Sequence, residues 1–90
     1  MKDELRELVV ETLNDLHQGV TDLTDDTPLG PAGLDLESLV IAELGMRVEE
    51  TYGAPFADED MERAAGQTLG EFVAEMAERA ERAKTGATTS

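Results

Sequence analysis

Residues 33–53 read "GLDLESLVIAELGMRVEETYG", and the fold turns on this stretch. Ile41, Leu44, Val48 and Tyr52 are spaced by three, four and four residues. That period puts them on one face of a helix, which must be turned toward a core. Leu39, Glu43, Met46 and Glu50 repeat at four, three and four and form a second stripe, well away from the first. The stretch is therefore predicted as a helix that starts near Asp35 to Ser38 and ends near Tyr52, with Gly53 as its C-terminal stop. Gly45, beside the core stripe, leaves room for another helix to approach, at about 1 kcal/mol in helix propensity. The second stripe alternates apolar and acidic side chains, with Val40 and Glu49 at its margins. Left exposed, it suits docking, because methionine adapts to several partners and carboxylates steer and orient them. Covered by a loop or another helix, Leu39 and Met46 are simply core.

Upstream, Leu5, Leu8, Val9, Leu13 and Leu16 fall at helical steps and predict an amphipathic helix from Asp3 to about His17. Asp3, Glu4 and Glu7 suit its positive end, and Gly19 is the expected stop. Residues 20–36 then read as a long loop: "TDDTPLGPAG" holds two prolines and two glycines and no sustained period. Val20, Leu23, Leu29 and Leu34 are the side chains that would pin it. Downstream of the central helix, Pro55 forbids continuation. "DEDMERAA" (58–65) predicts a short helix with Asp58 as N-cap. Thr68 and Glu71 then form a T-x-x-E capping box for a last helix, whose buried face is Leu69, Phe72, Val73, Met76, Ala77 and Ala80. After Ala83, "KTGATTS" has nothing to bury and is expected to fray. The expected architecture is all-α: a small four-helix bundle of three longer helices and one short one. A domain over 1–83 is followed by a flexible tail over 84–90.

Composition narrows the function. The chain has 90 residues, 21 acidic against 7 basic side chains and a net charge of −14. Such a surface repels phosphate backbones and anionic membranes and attracts a basic patch on a protein. Cysteine is absent, so disulfides, thiolate catalysis and cysteine-bound metals are excluded. No apolar run nears membrane-spanning length, and "MKDELRELVV" does not read as a secretory signal; the chain is expected in the cytoplasm. The acids of "DEDMER" and "TDDT" lack a calcium loop's spacing and glycine, and read as helix-start and turn chemistry. Arg63, Arg79, Arg82 and Lys84 are expected in surface ion pairs worth little each.

Serine is scarce: Ser38 and the terminal Ser90 are the only two. Ser38 follows Glu37 where loop becomes helix. As a nucleophile it would need a base within reach. The one histidine, His17, reads as a helix-end residue, the lysines lie near the chain ends, and no G-x-S-x-G elbow surrounds "LESLV". Two readings survive. Ser38 caps the helix, although Asp35 already offers a cap, or it is exposed and accepts a phosphate-linked group from another enzyme, favoured by the N–H groups of a helix start.

The stretch from Gly33 to Gly53 resembles the acyl carrier proteins of fatty-acid and polyketide synthesis. The likeness lies in Glu37-Ser38-Leu39 opening the second helix, then Glu49-Glu50, Tyr52 and Gly53. Glu43 and Met46 stand at the offsets of that family's partner-contacting acid and methionine. "DDTPLGPAGLDLESL" is similar to the loop entry of many bacterial carriers, and "TLGEFVAEM" to the family's last helix. The likeness spans roughly residues 3 to 80.

The resemblance implies that a phosphopantetheinyl transferase attaches phosphopantetheine, a covalent cofactor, to Ser38. The arm's thiol then carries acyl groups as thioesters, which explains thiol chemistry in a chain without cysteine. It implies a monomeric shuttle without catalysis of its own, a docking face of Glu37, Leu39, Val40, Glu43, Met46, Glu49 and Glu50, and partners such as acyltransferases and ketosynthases with basic patches. Two departures stand out. Glu37 replaces the usual aspartate, which moves the charge and bears on transferase choice. Val40 takes a position that is often polar or acidic, which hints at polyketide or other secondary-metabolite synthesis over fatty-acid synthesis. The neighbouring reading is a peptidyl or aminoacyl carrier of the non-ribosomal kind. A different class is an acidic helical adaptor that needs no modification, and a carrier fold with an unmodified serine also stays open.

Overall fold

The computed structural model describes residues 2–16 and 23–89, with side chains up to residue 83. Four helices follow in order: α1 (Lys2–Leu16), α2 (Ser38–Tyr52), α3 (Asp58–Ala65) and α4 (Leu69–Thr89). The described residues contain no strand, only an isolated bridge between Pro28 and Thr68. α1 packs on α2 and α4, and α2 also packs on α3. This is the all-α bundle that the periodicities predict. Of the expected features, His17, Gly19 and Val20 lie outside the described residues.

The buried faces are those of the period. Leu5, Val9 and Leu13 of α1, Ile41, Leu44 and Val48 of α2, and Leu69, Phe72, Val73, Met76, Ala77 and Ala80 of α4 form one core. Thr12 joins them, its hydroxyl donating to the Leu8 carbonyl at 2.8 Å, so the polar group enters the core already bonded. Leu16 departs from the expected face and is 40% exposed. It stands at the last residue of α1.

The long loop is stitched to the bundle rather than draped over it. Leu29 and Leu36 are buried, and Leu23 and Leu34 pack against the core. Carbonyls of Thr27 and Asp25 accept from the backbone N–H groups of Leu69 and Gly70 at 2.8 and 2.9 Å, and Leu29 N–H donates to Gln67 at 3.0 Å. The first N–H groups of a helix have no partner within it; here the loop supplies two of those partners for α4. The other donors at that end are met by the expected capping box. Thr68 N–H donates to Glu71 Oε1 at 2.8 Å, and Glu71 N–H to Thr68 Oγ1 at 3.2 Å.

Helix ends depart from the sequence reading in two places. Asp35 does not cap α2. It sits in the left-handed region at φ 50, its N–H tied to Gly30 at 2.7 Å, and Glu37 is the capping residue, with no side-chain cap bond. Asp58 is the first residue of α3, not its cap. Ala57 holds that position, and its N–H donates to the Asp60 carboxylate at 2.8 Å. α4 is helical to Thr89. At α2 the stop is as expected: Gly53 has φ 75 and its N–H returns to Glu49 at 2.8 Å.

Arg79 is not the minor surface ion the sequence suggested. It holds Asp60 through both nitrogens at 2.7 and 2.9 Å, Glu75 at 2.7 Å and the Pro55 carbonyl at 3.0 Å. Arg79 and Asp60 are mostly buried, at 21% and 16% exposure. One guanidinium thus ties the α2–α3 connection and α3 to α4. The Arg79 hydrogen bonds, with the Ala57 N–H, pull Asp60 down to about 2; bonding to Asp60 in turn raises Arg79. A depressed carboxylate stabilises the fold above its unfolded value and loses that contribution as pH falls through the folded one. Asp60→Asn is therefore expected to cost about 2 kcal/mol at neutral pH. That difference from the parent should shrink between about pH 4 and about pH 2, read by urea unfolding at several pH values.

Candidate functional site

Ser38 is the first residue of α2 and is exposed. Its position follows from the loop. Leu36 is buried and donates its N–H to the Leu29 carbonyl at 3.0 Å. This anchors the chain two residues before the helix. Glu37 is extended (φ −72, ψ 155), and its carbonyl accepts from Val40 and Ile41 at 3.0 and 3.1 Å. The turn therefore closes through the Glu37 backbone, and the Ser38 hydroxyl is not spent on a cap. Glu37 itself is exposed beside it.

The second stripe of α2 is on the surface. Leu39 is 78% and Met46 53% exposed. Glu49 and Glu50 are exposed, and Glu43 and Val40 are half-buried. The structure thus rejects the core reading of Leu39 and Met46. Two members are less free than the sequence implied. Val40 packs partly against the core, and Glu43 accepts from Arg47 Nε at 3.1 Å. Gly45, on the buried side, admits no helix: it faces the Phe56 ring, which occupies the space a side chain would need. Phe56 meets Phe72 edge to face at 6.3 Å between centroids. Sequence reasoning missed Leu16 as a surface neighbour of the site. Its spacing from Leu13 is that of a core residue, and only the end of α1 releases it.

Chemically, the arrangement can accept a modification and a partner. An exposed hydroxyl at a helix start lies beside first-turn N–H groups that no residue of the helix can satisfy. The dipole there favours a phosphodiester. An apolar-acidic strip begins one residue later. The residues present fit a phosphopantetheine arm, whose thiol would supply the sulfur chemistry that this cysteine-free chain lacks.

Comparison with known proteins gives the family. The family model described as "Phosphopantetheine attachment site" matches residues 3–76. No curated protein and no solved structure matches the chain. The matched span takes in α1, the loop, α2, α3 and the capped start of α4, so the helix order, the exposed hydroxyl and the family match converge: the chain belongs to the phosphopantetheine-attachment family, carriers that bear the prosthetic arm and catalyse nothing themselves.

Proposed function

We propose that Ser38 is the residue that carries the arm, and that the chain is an acyl carrier of polyketide or other secondary-metabolite synthesis. The observation that carries the assignment is the exposed Ser38 at the start of α2, with Leu39 and Met46 standing out of the same helix. In the loading step the Ser38 hydroxyl attacks the pyrophosphate of coenzyme A. An Oγ–phosphorus bond forms, the hydroxyl proton is lost, and adenosine 3′,5′-bisphosphate leaves. On Ser38 the arm would supply the thiol on which acyl groups are carried as thioesters to acyltransferases, ketosynthases and other acyl-processing enzymes.

These partners dock on Glu37, Leu39, Val40, Glu43, Met46, Glu49 and Glu50 through basic patches, as the charge of −14 favours. Val40, an apolar residue at the edge of that strip, supports polyketide over fatty-acid synthesis. The carrier acts as a monomer in the cytoplasm, where coenzyme A is held. Residues 1–83 form the carrier domain, and 84–90, beyond the family match, form a tail.

The test is intact mass after incubation with coenzyme A and a broad-specificity phosphopantetheinyl transferase. The expected result is a gain of one phosphopantetheine, followed by loading from a malonyl- or acyl-transferase. Loading by an amino-acid-adenylating enzyme instead would move the assignment to a peptidyl carrier. No gain with any of several transferases, on folded protein, would leave the acidic adaptor.

A further inference from the structure

A shallow groove of about 410 Å³ separates the end of α1 from the first turns of α2, lined by Leu16, Glu37, Leu39, Val40 and Glu43. Two of its walls are large apolar side chains turned to solvent, Leu16 and Leu39. Its acids, Glu37 and Glu43, come from α2 and the residue before it. Glu43 gives one oxygen to Arg47, which leaves the other for a second cation.

The groove and the hydroxyl lie on different flanks of α2. Successive residues turn by about 100° around a helix, so Ser38 and Val40 stand on opposite sides of Leu39. Val40 and Glu43 line the groove; Ser38 does not. A side chain seated there grips the carrier without covering the hydroxyl. That separation is what an enzyme acting on Ser38 requires. Charge states the rest of the occupant's chemistry. The rim is carboxylate and the whole chain carries −14, so lysine or arginine is attracted and an acidic surface is repelled.

We propose that this groove seats an apolar side chain flanked by lysine or arginine on the phosphopantetheinyl transferase, and that Leu16 of α1 is a docking residue. The inference rests on the assignment of Ser38 as the modified residue. It adds α1 to a surface otherwise confined to α2 and its entry. Leu16 is exposed at a helix end, so its replacement leaves the fold intact; thermal melting of each variant verifies this.

The experiment is steady-state transfer from coenzyme A to the intact chain by a broad-specificity transferase. Leu16→Ala should raise KM about fivefold and Leu16→Lys more, with kcat unchanged. Glu11→Gln makes the same change in net charge elsewhere on α1 and should leave KM within about twofold. As a readout independent of chemistry, Ser38→Ala should inhibit transfer competitively, and Leu16→Lys added to it should remove that inhibition. Wild-type transfer with KM unchanged in both Leu16 variants overturns the groove while the carrier assignment stands. An equal rise in KM for Glu11→Gln also overturns it, since net charge would then suffice. No transfer to the wild type overturns both.

Discussion

Ser38→Ala is expected to abolish the mass gain completely and to leave the melting temperature within about 3 °C of the parent. The two halves come from different links of the argument. Chemically, the alanine side chain has no oxygen to bond phosphorus, and the terminal Ser90 stands outside the loop-to-helix junction that presents Ser38. Structurally, the hydroxyl holds nothing together. The first turn of α2 closes through the Glu37 carbonyl, and the residue before the helix gives it no side-chain cap. A capping serine replaced by alanine costs about 1 kcal/mol, which shifts melting by roughly 4–8 °C in a domain of this size. A fall of that size would mean that Ser38 is a structural residue. Residual modification of the variant would move the arm to another residue. Glu37→Asp beside it is expected to keep full mass gain and to change only the rate, since the charge remains and moves by one methylene.

The fold was legible because helical bundles write their core as a period. The stripes Ile41-Leu44-Val48 and Leu69-Phe72-Val73-Met76 need no knowledge of the tertiary structure, and neither does the Thr68–Glu71 box, whose partners are three residues apart. What the sequence hid was set by contacts that a hydrophobic period does not report. Asp35 looked like a cap, but the bond of its N–H to Gly30 holds it in a left-handed turn, and the cap passes to Glu37. Arg79 looked like one surface cation among several. Its partners Asp60 and Pro55 lie 19 and 24 residues away, and only the folded bundle brings them together. Leu16 carried the same signal as Leu13, because period does not report where a helix overruns its core. The site divides in the same way. Ser38, Leu39 and Met46 stand on one helix and could be read directly. The groove that Leu16 shares with Leu39 requires α1 and α2 to be packed first.

The largest stability effect is expected at Gly45, where the sequence left room for a helix and the structure put a ring. Glycine inside an exposed helix is a defect: alanine there gains about 0.8–1.0 kcal/mol. At Gly45 the sign should invert. The residue is buried, and a Cβ built on it would overlap the Phe56 ring well inside contact distance. Phe56 is half-buried, and the overlap falls on its ring atoms, so the ring as a whole would have to shift. It packs edge to face against the fully buried Phe72, and its neighbour Pro55 is held by Arg79 at 3.0 Å. Overpacking of this kind costs about 1–3 kcal/mol, occasionally more, so Gly45→Ala is expected to destabilise despite its propensity. Gly45→Val, with two more methyl groups and β-branched stiffness, should lose about 3 kcal/mol, or more than about 12 °C in melting temperature. The decisive comparison is a double-mutant cycle by urea unfolding. In a Phe56→Ala background the obstacle is gone, and Gly45→Ala should become stabilising by about 1 kcal/mol. That change of sign isolates the ring as the cause. If Gly45→Ala stabilises the unmodified chain, the contact is slack and the account of Gly45 is wrong. If it destabilises both backgrounds equally, the cost lies elsewhere in α2. The contact matters to the carrier because α2 is pinned on one side by Phe56 against Gly45 and on the other presents Leu39 and Met46. Relieving it by mutation should loosen the seating of the face that bears Leu39 and Met46 while leaving the Ser38 hydroxyl, seven residues nearer the start of the helix, exposed.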